Sequence, residues 1–129
     1  MKIRRYNEDI DYHNIILLFK SEKDWDWFLG NEVIIKHKKS LKNSITYVAY
    51  VETELIGYSR SLEDIELYIY VCELLVNRKF RGRSIGKKLL ERLVPDYPDH
   101  EILVMSDVDQ YYNKLGYKVE GSIFKVSTP

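Results

Sequence analysis

The chain has few of the residues that cross-link a fold or interrupt its helices and strands. It has one cysteine, three prolines and six glycines among 129 residues. The single cysteine, Cys72, cannot form an intramolecular disulfide, and no Cys/His pair has the spacing of a zinc site. The sequence therefore predicts a domain without a metal, held together by its hydrophobic core.

Net charge and long apolar runs are also absent. Lys and Arg number 20, as do Asp and Glu, which argues against a nucleic-acid coat or a polybasic membrane anchor. Even the longest apolar runs, such as Tyr68 to Cys72, are far shorter than the roughly 20 residues that cross a bilayer. The basic residues after Met1 are not followed by the apolar stretch of a signal peptide. We therefore expect a cytoplasmic protein with no membrane partner, and the balance of charge disfavours a nucleic-acid partner.

Hydrophobic residues make up 45% of the chain, and their pattern predicts one mixed α/β (α+β) domain over residues 1–129. Strands are predicted at Lys2–Tyr6, Ile45–Val51, Leu55–Tyr58, Glu66–Val76, Glu101–Met105 and Tyr117–Val126. Helices are predicted at Asp11–Lys20, from Trp25 to about Lys42 with Gly30 as a break, at Ser84–Val94, and from Ser106 or Asp107 to Gly116. Glu66–Val76 is apolar on both faces, so we expect it at the centre of a largely antiparallel sheet flanked by helices.

A basic, glycine-containing loop follows that apolar strand. It reads Arg81-Gly82-Arg83-Ser84-Ile85-Gly86-Lys87 and runs straight into a predicted helix. The first amides of a helix have no internal partner and carry partial positive charge, so the loop suits a phosphate or pyrophosphate. It matches neither a Walker A loop nor a dinucleotide-binding fingerprint. The alternative is that its glycines only turn the chain and its cations are solvated.

Two further segments accompany the loop. Glu73-Leu74-Leu75-Val76 ends the strand before it, and Tyr111-Tyr112-Asn113-Lys114-Leu115-Gly116-Tyr117 lies downstream. Together the three segments resemble the signatures of the GNAT superfamily of acetyl-CoA-dependent N-acetyltransferases, whose loop reads Arg/Gln-x-x-Gly-x-Gly/Ala. Ser84 stands where that family usually has a glycine. The resemblance implies a GNAT-like fold and an enzyme that moves an acetyl group from acetyl-CoA to a primary amine, by direct attack in a ternary complex.

The resemblance also implies where acetyl-CoA binds. Main-chain groups around Leu74, Leu75 and Val76 would align the pantetheine arm and the thioester, in a slot where two parallel strands splay apart. Backbone amides of the loop would hold the pyrophosphate. The loop residues in this role are Arg81, Gly82, Arg83, Ser84, Ile85, Gly86 and Lys87. Since serine tolerates less backbone freedom than glycine, Ser84 puts the affinity for acetyl-CoA in question.

Two residues match catalytic positions of the family. Tyr112 matches the tyrosine whose hydroxyl protonates the departing CoA thiolate, a role that a phenol protonated at neutral pH can fill. The alternative is that Tyr112 packs in the core. Glu73 is the candidate base that takes a proton from the amine, directly or through water. The alternative is that Glu73 is paired with a nearby Arg or Lys.

The acceptor is the least defined part of this prediction. Trp25 and Trp27 lie beside acidic residues in the region that roofs the acceptor site in GNAT proteins, where they could contact a small-molecule or peptide amine. Ordinary packing is the alternative for both tryptophans. Three other hypotheses stay open: a catalytically silent module that senses acyl-CoA, an RNA phosphate site on the basic loop, and a homodimer formed through an edge strand.

Overall fold

The computed structural model describes all 129 residues. Five strands form one sheet: β1 (Lys2–Arg5), β2 (Ile45–Val51), β3 (Glu54–Asp64), β4 (Tyr68–Val76) and β5 (Glu101–Val104). The α-helices are α1 (Glu8–Lys20), α2 (Asn31–Asn43), α3 (Ile85–Glu91), α4 (Leu93–Asp96) and α5 (Asp109–Lys114). Two 3₁₀ segments cover Lys23–Leu29 and Arg78–Phe80. None of the helices is both long and apolar enough to span a bilayer.

The strands follow their chain order across the sheet, from β1 to β5. The first four are antiparallel, and β5 runs parallel to β4. This confirms the predicted mixed α/β domain with a largely antiparallel sheet. The chain crosses from β4 through α3 to the parallel strand β5. The central position predicted for the apolar strand is wrong, since β3 holds it. β4 is apolar nonetheless because strands flank it on both sides and hydrophobic clusters cover both faces.

Each face of the sheet carries its own hydrophobic cluster. The α3 cluster has ten buried members: Ile45, Tyr47, Ala49, Ile56, Ile69, Val71, Ile85, Leu89, Leu90 and Leu93. The α1 cluster, on the other face, has eight: Ile15, Leu18, Phe19, Leu41, Val48, Leu55, Tyr58 and Leu75. Because β4 contributes to both clusters, it lies between the two halves of the core.

Several predicted elements differ in the structure. The helix predicted at Ser84–Val94 is divided into α3 and α4. The second helical stretch divides at Gly30 into the 3₁₀ segment and α2, at the break that the sequence predicted. The predicted last strand does not form, because residues 118–129 are exposed and pair with no strand. The predicted cap of α5 is also wrong, since the helix starts after Val108 and the Ser106 hydroxyl donates to the Asp109 carboxylate at 2.7 Å. Gly116 has a φ of 83°, as expected for the residue after a helix.

Candidate active site

A slot opens beside the carboxyl end of β4. The pairing of β4 with β5 ends at Val71 and Val104, and the last hydrogen bond joins the Met105 N–H to the Val71 carbonyl at 2.9 Å. β4 continues to Val76 without a neighbour on that side. The two parallel strands therefore part halfway along β4, as the resemblance implied.

A β-bulge at Cys72 determines which main-chain groups face the slot. In the pairing with β3, Ser61 lies opposite Val71 and Arg60 lies opposite Glu73, so Cys72 is the extra residue. The Asn77 N–H donates to the Ile56 carbonyl of β3 at 2.7 Å. Because main-chain groups alternate along a strand, those of Leu74 and Val76 turn away from β3, toward the slot. Those of Leu75 turn toward β3, and its side chain lies in the α1 cluster.

The loop after β4 holds its shape through two left-handed residues. Gly82 has a φ of 81° and Ser84 a φ of 61°. A left-handed conformation costs an L-residue roughly 1–2 kcal/mol, so the backbone of Ser84 is strained. The glycine that the family usually has at this position would adopt the same conformation without strain. The Ser84 carbonyl accepts the Lys88 N–H at 3.0 Å, but its hydroxyl makes no capping hydrogen bond to α3. The serine therefore keeps the geometry of the loop at an energetic cost.

Several of the cations around the loop already contact other groups of the protein. Arg78 and Arg81 donate to the buried Glu22 carboxylate at 2.8 and 2.9 Å. Arg83 lies over the Phe80 ring, 5.2 Å from its centroid. Of the cations expected at the rim, Arg81 thus belongs to the framework of the loop, whereas Arg83 and Lys87 reach solvent.

The two adjacent tyrosines of α5 have different surroundings. Tyr112 is half-buried against the α3 cluster, and its pKa is raised to about 12, first by burial and then by the nearby Asp107 carboxylate. Its phenol is therefore protonated at neutral pH, as an acid must be. The Tyr111 hydroxyl lies against Gly86, where a Cβ would collide with it. Burial raises the pKa of Tyr111, while a hydrogen bond from the Lys87 main chain acts in the opposite sense. The sequence did not indicate that Tyr111 reaches the loop.

Glu73 lies in a buried polar cluster on the α1 face of the sheet. His37 Nε2 lies 2.6 Å and the Tyr58 hydroxyl 2.7 Å from its Oε1, and Arg60 Nε donates to Oε2 at 2.7 Å. Burial raises the pKa of Glu73, but the hydrogen bonds from His37 and Arg60 outweigh it and lower the pKa to about 2. A carboxylate with so low a pKa is a weak proton acceptor at neutral pH. Its contacts are those of the paired-carboxylate alternative.

His37 belongs to this cluster, although the sequence did not indicate it. It lies on the inner face of α2, four residues before the buried Leu41, so helical spacing was the available signal. Nothing local to α2 identifies its partner, which is 36 residues away on β4.

Trp25, Trp27 and Phe28, named here the aromatic lid, cover the α1 cluster beside this site. Trp25 and Phe28 stack on Phe19 with ring centroids 5.7 and 5.4 Å apart. Trp27 is 68% exposed and contacts Phe28 edge-on. Trp25 therefore has a packing role, whereas Trp27 offers an open aromatic face.

The strand order, the parting of β4 from β5 and the loop that leads into α3 define the class of acetyltransferase-like α/β domains. A family model described as an acetyltransferase (GNAT) domain matches residues 42–119, more than half of the chain. The chain belongs to the GNAT acetyltransferase family. An uncharacterized N-acetyltransferase, ycf52 of Pyropia yezoensis, is 25% identical over 92 residues, which cover 64% of this chain and 53% of the relative. The chain thus spans about half the length of that relative.

Solved structures share the fold at low sequence identity. The ribosomal-protein-alanine N-acetyltransferase of Brucella melitensis superposes with a TM-score of 0.77 at 16% identity, covering 99% of both chains. An aminoglycoside acetyltransferase, meta-AAC0020 from an uncultured soil metagenomic sample, solved with sisomicin, gives 0.74 at 22% identity, covering 99% of this chain and 96% of that one. These likenesses establish the architecture of the domain.

Proposed function

We propose that this protein transfers the acetyl group of acetyl-CoA to a primary amine by direct attack in a ternary complex. The observation that carries the proposal is the slot beside β4. There, the main-chain groups of Leu74 and the Val76 N–H have no strand partner, while the Val76 carbonyl accepts from the Arg81 side chain. The basic loop lies at the slot's end. Unpaired main-chain donors and acceptors in a strand are costly unless something binds them. The amides of a pantetheine arm are such partners.

The proposed cofactor site follows the chain from the slot into the loop. Leu74, Leu75 and Val76 border the slot. The remaining residues, Arg81, Gly82, Arg83, Ser84, Ile85, Gly86 and Lys87, would hold the pyrophosphate with their amides and exposed cations. Acetyl-CoA supplies an activated thioester, so the protein must align that carbonyl with the amine and exclude water from it.

Tyr112 is the proposed acid. When the tetrahedral intermediate collapses, the C–S bond breaks, and the thiolate leaves more easily if it receives the phenolic proton. The protonated state of Tyr112 at neutral pH fits this task. Tyr111 also reaches the loop, so substituting each tyrosine singly tells which hydroxyl acts.

The amine must lose a proton to become nucleophilic, and Glu73 was predicted to assist. Because His37 and Arg60 lower its pKa, we propose that a water molecule accepts the proton of the amine and passes it to solvent, while Glu73 orients that water and does not itself hold the proton.

The acceptor is proposed to be the amine of a small molecule or peptide, and it approaches beneath the aromatic lid. Trp27 offers the face of an indole, and Asp24 and Asp26 next to it are exposed carboxylates. An aromatic face flanked by carboxylates suits a cationic amine. Action in the cytoplasm and assembly into a homodimer stay predictions.

A second candidate function is a silent module that binds acyl-CoA without turnover. Ser84 favours it, because the strained serine stands at the loop position where the family usually has glycine. A protein that binds acetyl-CoA but acetylates no amine would support this candidate over the enzyme.

Two measurements test the proposed function. Calorimetric titration with acetyl-CoA should show micromolar binding, and Gly86→Glu should abolish it because the new side chain enters the space that Tyr111 and the loop occupy. Release of free thiol in the presence of an amine library should be slowed by Tyr112→Phe with little change in the affinity for acetyl-CoA. Glu63→Gln, at the opposite end of β3, is the matched control for both. No binding at millimolar acetyl-CoA would overturn the proposal.

A further inference from the structure

Glu22 joins the two halves of the proposed active site. It is 3% exposed and lies between the end of α1 and the 3₁₀ segment that carries the aromatic lid. Its Oε1 accepts from Arg78 Nη2 at 2.8 Å and its Oε2 accepts from Arg81 Nη2 at 2.9 Å. Each carboxylate oxygen therefore holds one arginine from the loop region after β4.

The main chain of Glu22 belongs to the lid. Its N–H donates to the Phe19 carbonyl at 3.0 Å, and its carbonyl accepts the Trp25 N–H, also at 3.0 Å. The first of these bonds closes the end of α1 and the second starts the lid segment. A shift of the Glu22 side chain would thus be transmitted to the backbone that carries Trp25.

The side chain of Arg81 extends this connection to the slot. Its Nε donates to the Val76 carbonyl at 3.0 Å, while its Nη2 holds Glu22. Val76 is one of the residues whose main chain faces the slot, and Arg81 begins the loop proposed to bind pyrophosphate. One guanidinium therefore spans the distance from the cofactor side to the lid.

From these contacts we infer that Glu22 is a positioning residue that fixes the cofactor loop and couples acetyl-CoA binding to the conformation of the aromatic lid. The inference rests on the proposed function. If the loop moved without the lid, the buried Glu22 carboxylate would lose a hydrogen bond to Arg78 or Arg81, and this loss costs free energy. The loop and the lid therefore move together. Coupling between two sites is reciprocal, so acceptor binding under the lid strengthens acetyl-CoA binding by the same factor.

The chain contains a built-in reporter for this coupling. Its two tryptophans, Trp25 and Trp27, both lie in the lid. Tryptophan fluorescence therefore reports on the lid alone, while calorimetry reports on acetyl-CoA binding at the loop. The two signals can be recorded on the same titration of the full chain.

In the wild-type protein, we expect acetyl-CoA to change tryptophan emission with the same midpoint as the calorimetric binding curve. Glu22→Gln keeps the shape of the side chain but removes its charge. It should weaken acetyl-CoA binding about tenfold, within the usual range of coupling between sites, and reduce the emission change at saturation. Arg78→Gln removes one of the two contacts from a side chain that is mostly exposed, so it should fold and show a smaller weakening in the same direction. Glu63→Gln should behave as wild type.

Three outcomes would overturn the inference. Wild-type acetyl-CoA binding without any change in tryptophan emission would show that the lid does not sense the loop. Unchanged or tighter binding in both Glu22→Gln and Arg78→Gln would show that Glu22 withholds the arginines from the phosphates and does not position the loop. If Glu22→Gln lowers only the thermal midpoint and leaves affinity and emission unchanged, its role is structural. Absence of calorimetric binding in the wild type would instead overturn the proposed function itself, and the inference with it.

Discussion

Replacing Glu73 by glutamine removes a buried negative charge that His37, Tyr58 and Arg60 share. Glutamine has nearly the same size, so the variant leaves no cavity. It does leave the Arg60 guanidinium, which is mostly buried, without a counter-charge. Removing one partner of a buried ion pair typically destabilises a protein by about 3–5 kcal/mol. We expect a loss in that range at pH 7.

Part of that loss depends on pH in a defined direction. The pKa of Glu73 falls from an ordinary 4.5 to about 2 in the folded protein, which corresponds to about 3 kcal/mol of stability. Because the folded-state pKa is the lower one, this contribution is complete above pH 4.5. It is lost as the pH falls toward 2. Between pH 5 and pH 3 the loss is about 2 kcal/mol.

Urea denaturation of the wild type and of Glu73→Gln at pH 5 and at pH 3 measures this quantity. The difference in free energy of unfolding between the two proteins should shrink by about 2 kcal/mol at the lower pH, since the other carboxylates titrate alike in both. Glu91→Gln is the matched control, because it removes a carboxylate whose ion pair with Lys87 is exposed. Such a pair contributes about 0–1 kcal/mol. A Glu73→Gln difference that is the same at both pH values would refute the reasoning.

Three further substitutions test other parts of the structure. Gly57→Ala should lower the free energy of unfolding by about 1–3 kcal/mol in urea, because its Cβ would lie 3.0 Å from the Leu75 carbonyl oxygen of β4; wild-type stability would contradict this tight approach. Ser84→Gly should raise the thermal midpoint, with a gain of up to about 1 kcal/mol as the left-handed strain is released, and a drop would show that the serine hydroxyl stabilises the loop. Asp11→Ala should cost about 3–5 kcal/mol in the same assay, since the fully buried carboxylate accepts hydrogen bonds from Arg4 and Tyr50; a loss below 1 kcal/mol would exclude that role.

The elements of the fold could be predicted wherever apolar residues repeat with the period of a strand or helix. β3 shows where this fails. The sequence predicted only Leu55–Tyr58, because the polar run that follows does not look like a strand. Ser59 and Ser61 are nevertheless fully buried, because β3 is the central strand and its neighbours cover it. Position in the sheet, which no local pattern contains, outweighs composition here.

The candidate site also has a part that the sequence could predict and a part that it could not. The loop from Arg81 to Gly86 could be predicted because its residues are contiguous and its chemistry is local. The partners of Glu73 and Glu22 could not, since His37 lies 36 residues before Glu73 and Arg81 lies 59 residues after Glu22. The charge pairs that fix the site are made by the tertiary fold, and the sequence offered only the separate members.

The bulge at Cys72 places the buried side chains before it and after it on opposite faces of the sheet. Before Cys72, the side chains of Ile69 and Val71 enter the α3 cluster, and after it those of Glu73 and Leu75 enter the opposite face. Since side chains alternate along a strand, a regular strand in which Cys72 also paired with β3 would turn the Glu73 carboxylate toward the α3 cluster and away from the cation of Arg60. The bulge thus keeps the hydrophobic α3 cluster apart from the ion pairs that Glu73 makes with His37 and Arg60 on the other face.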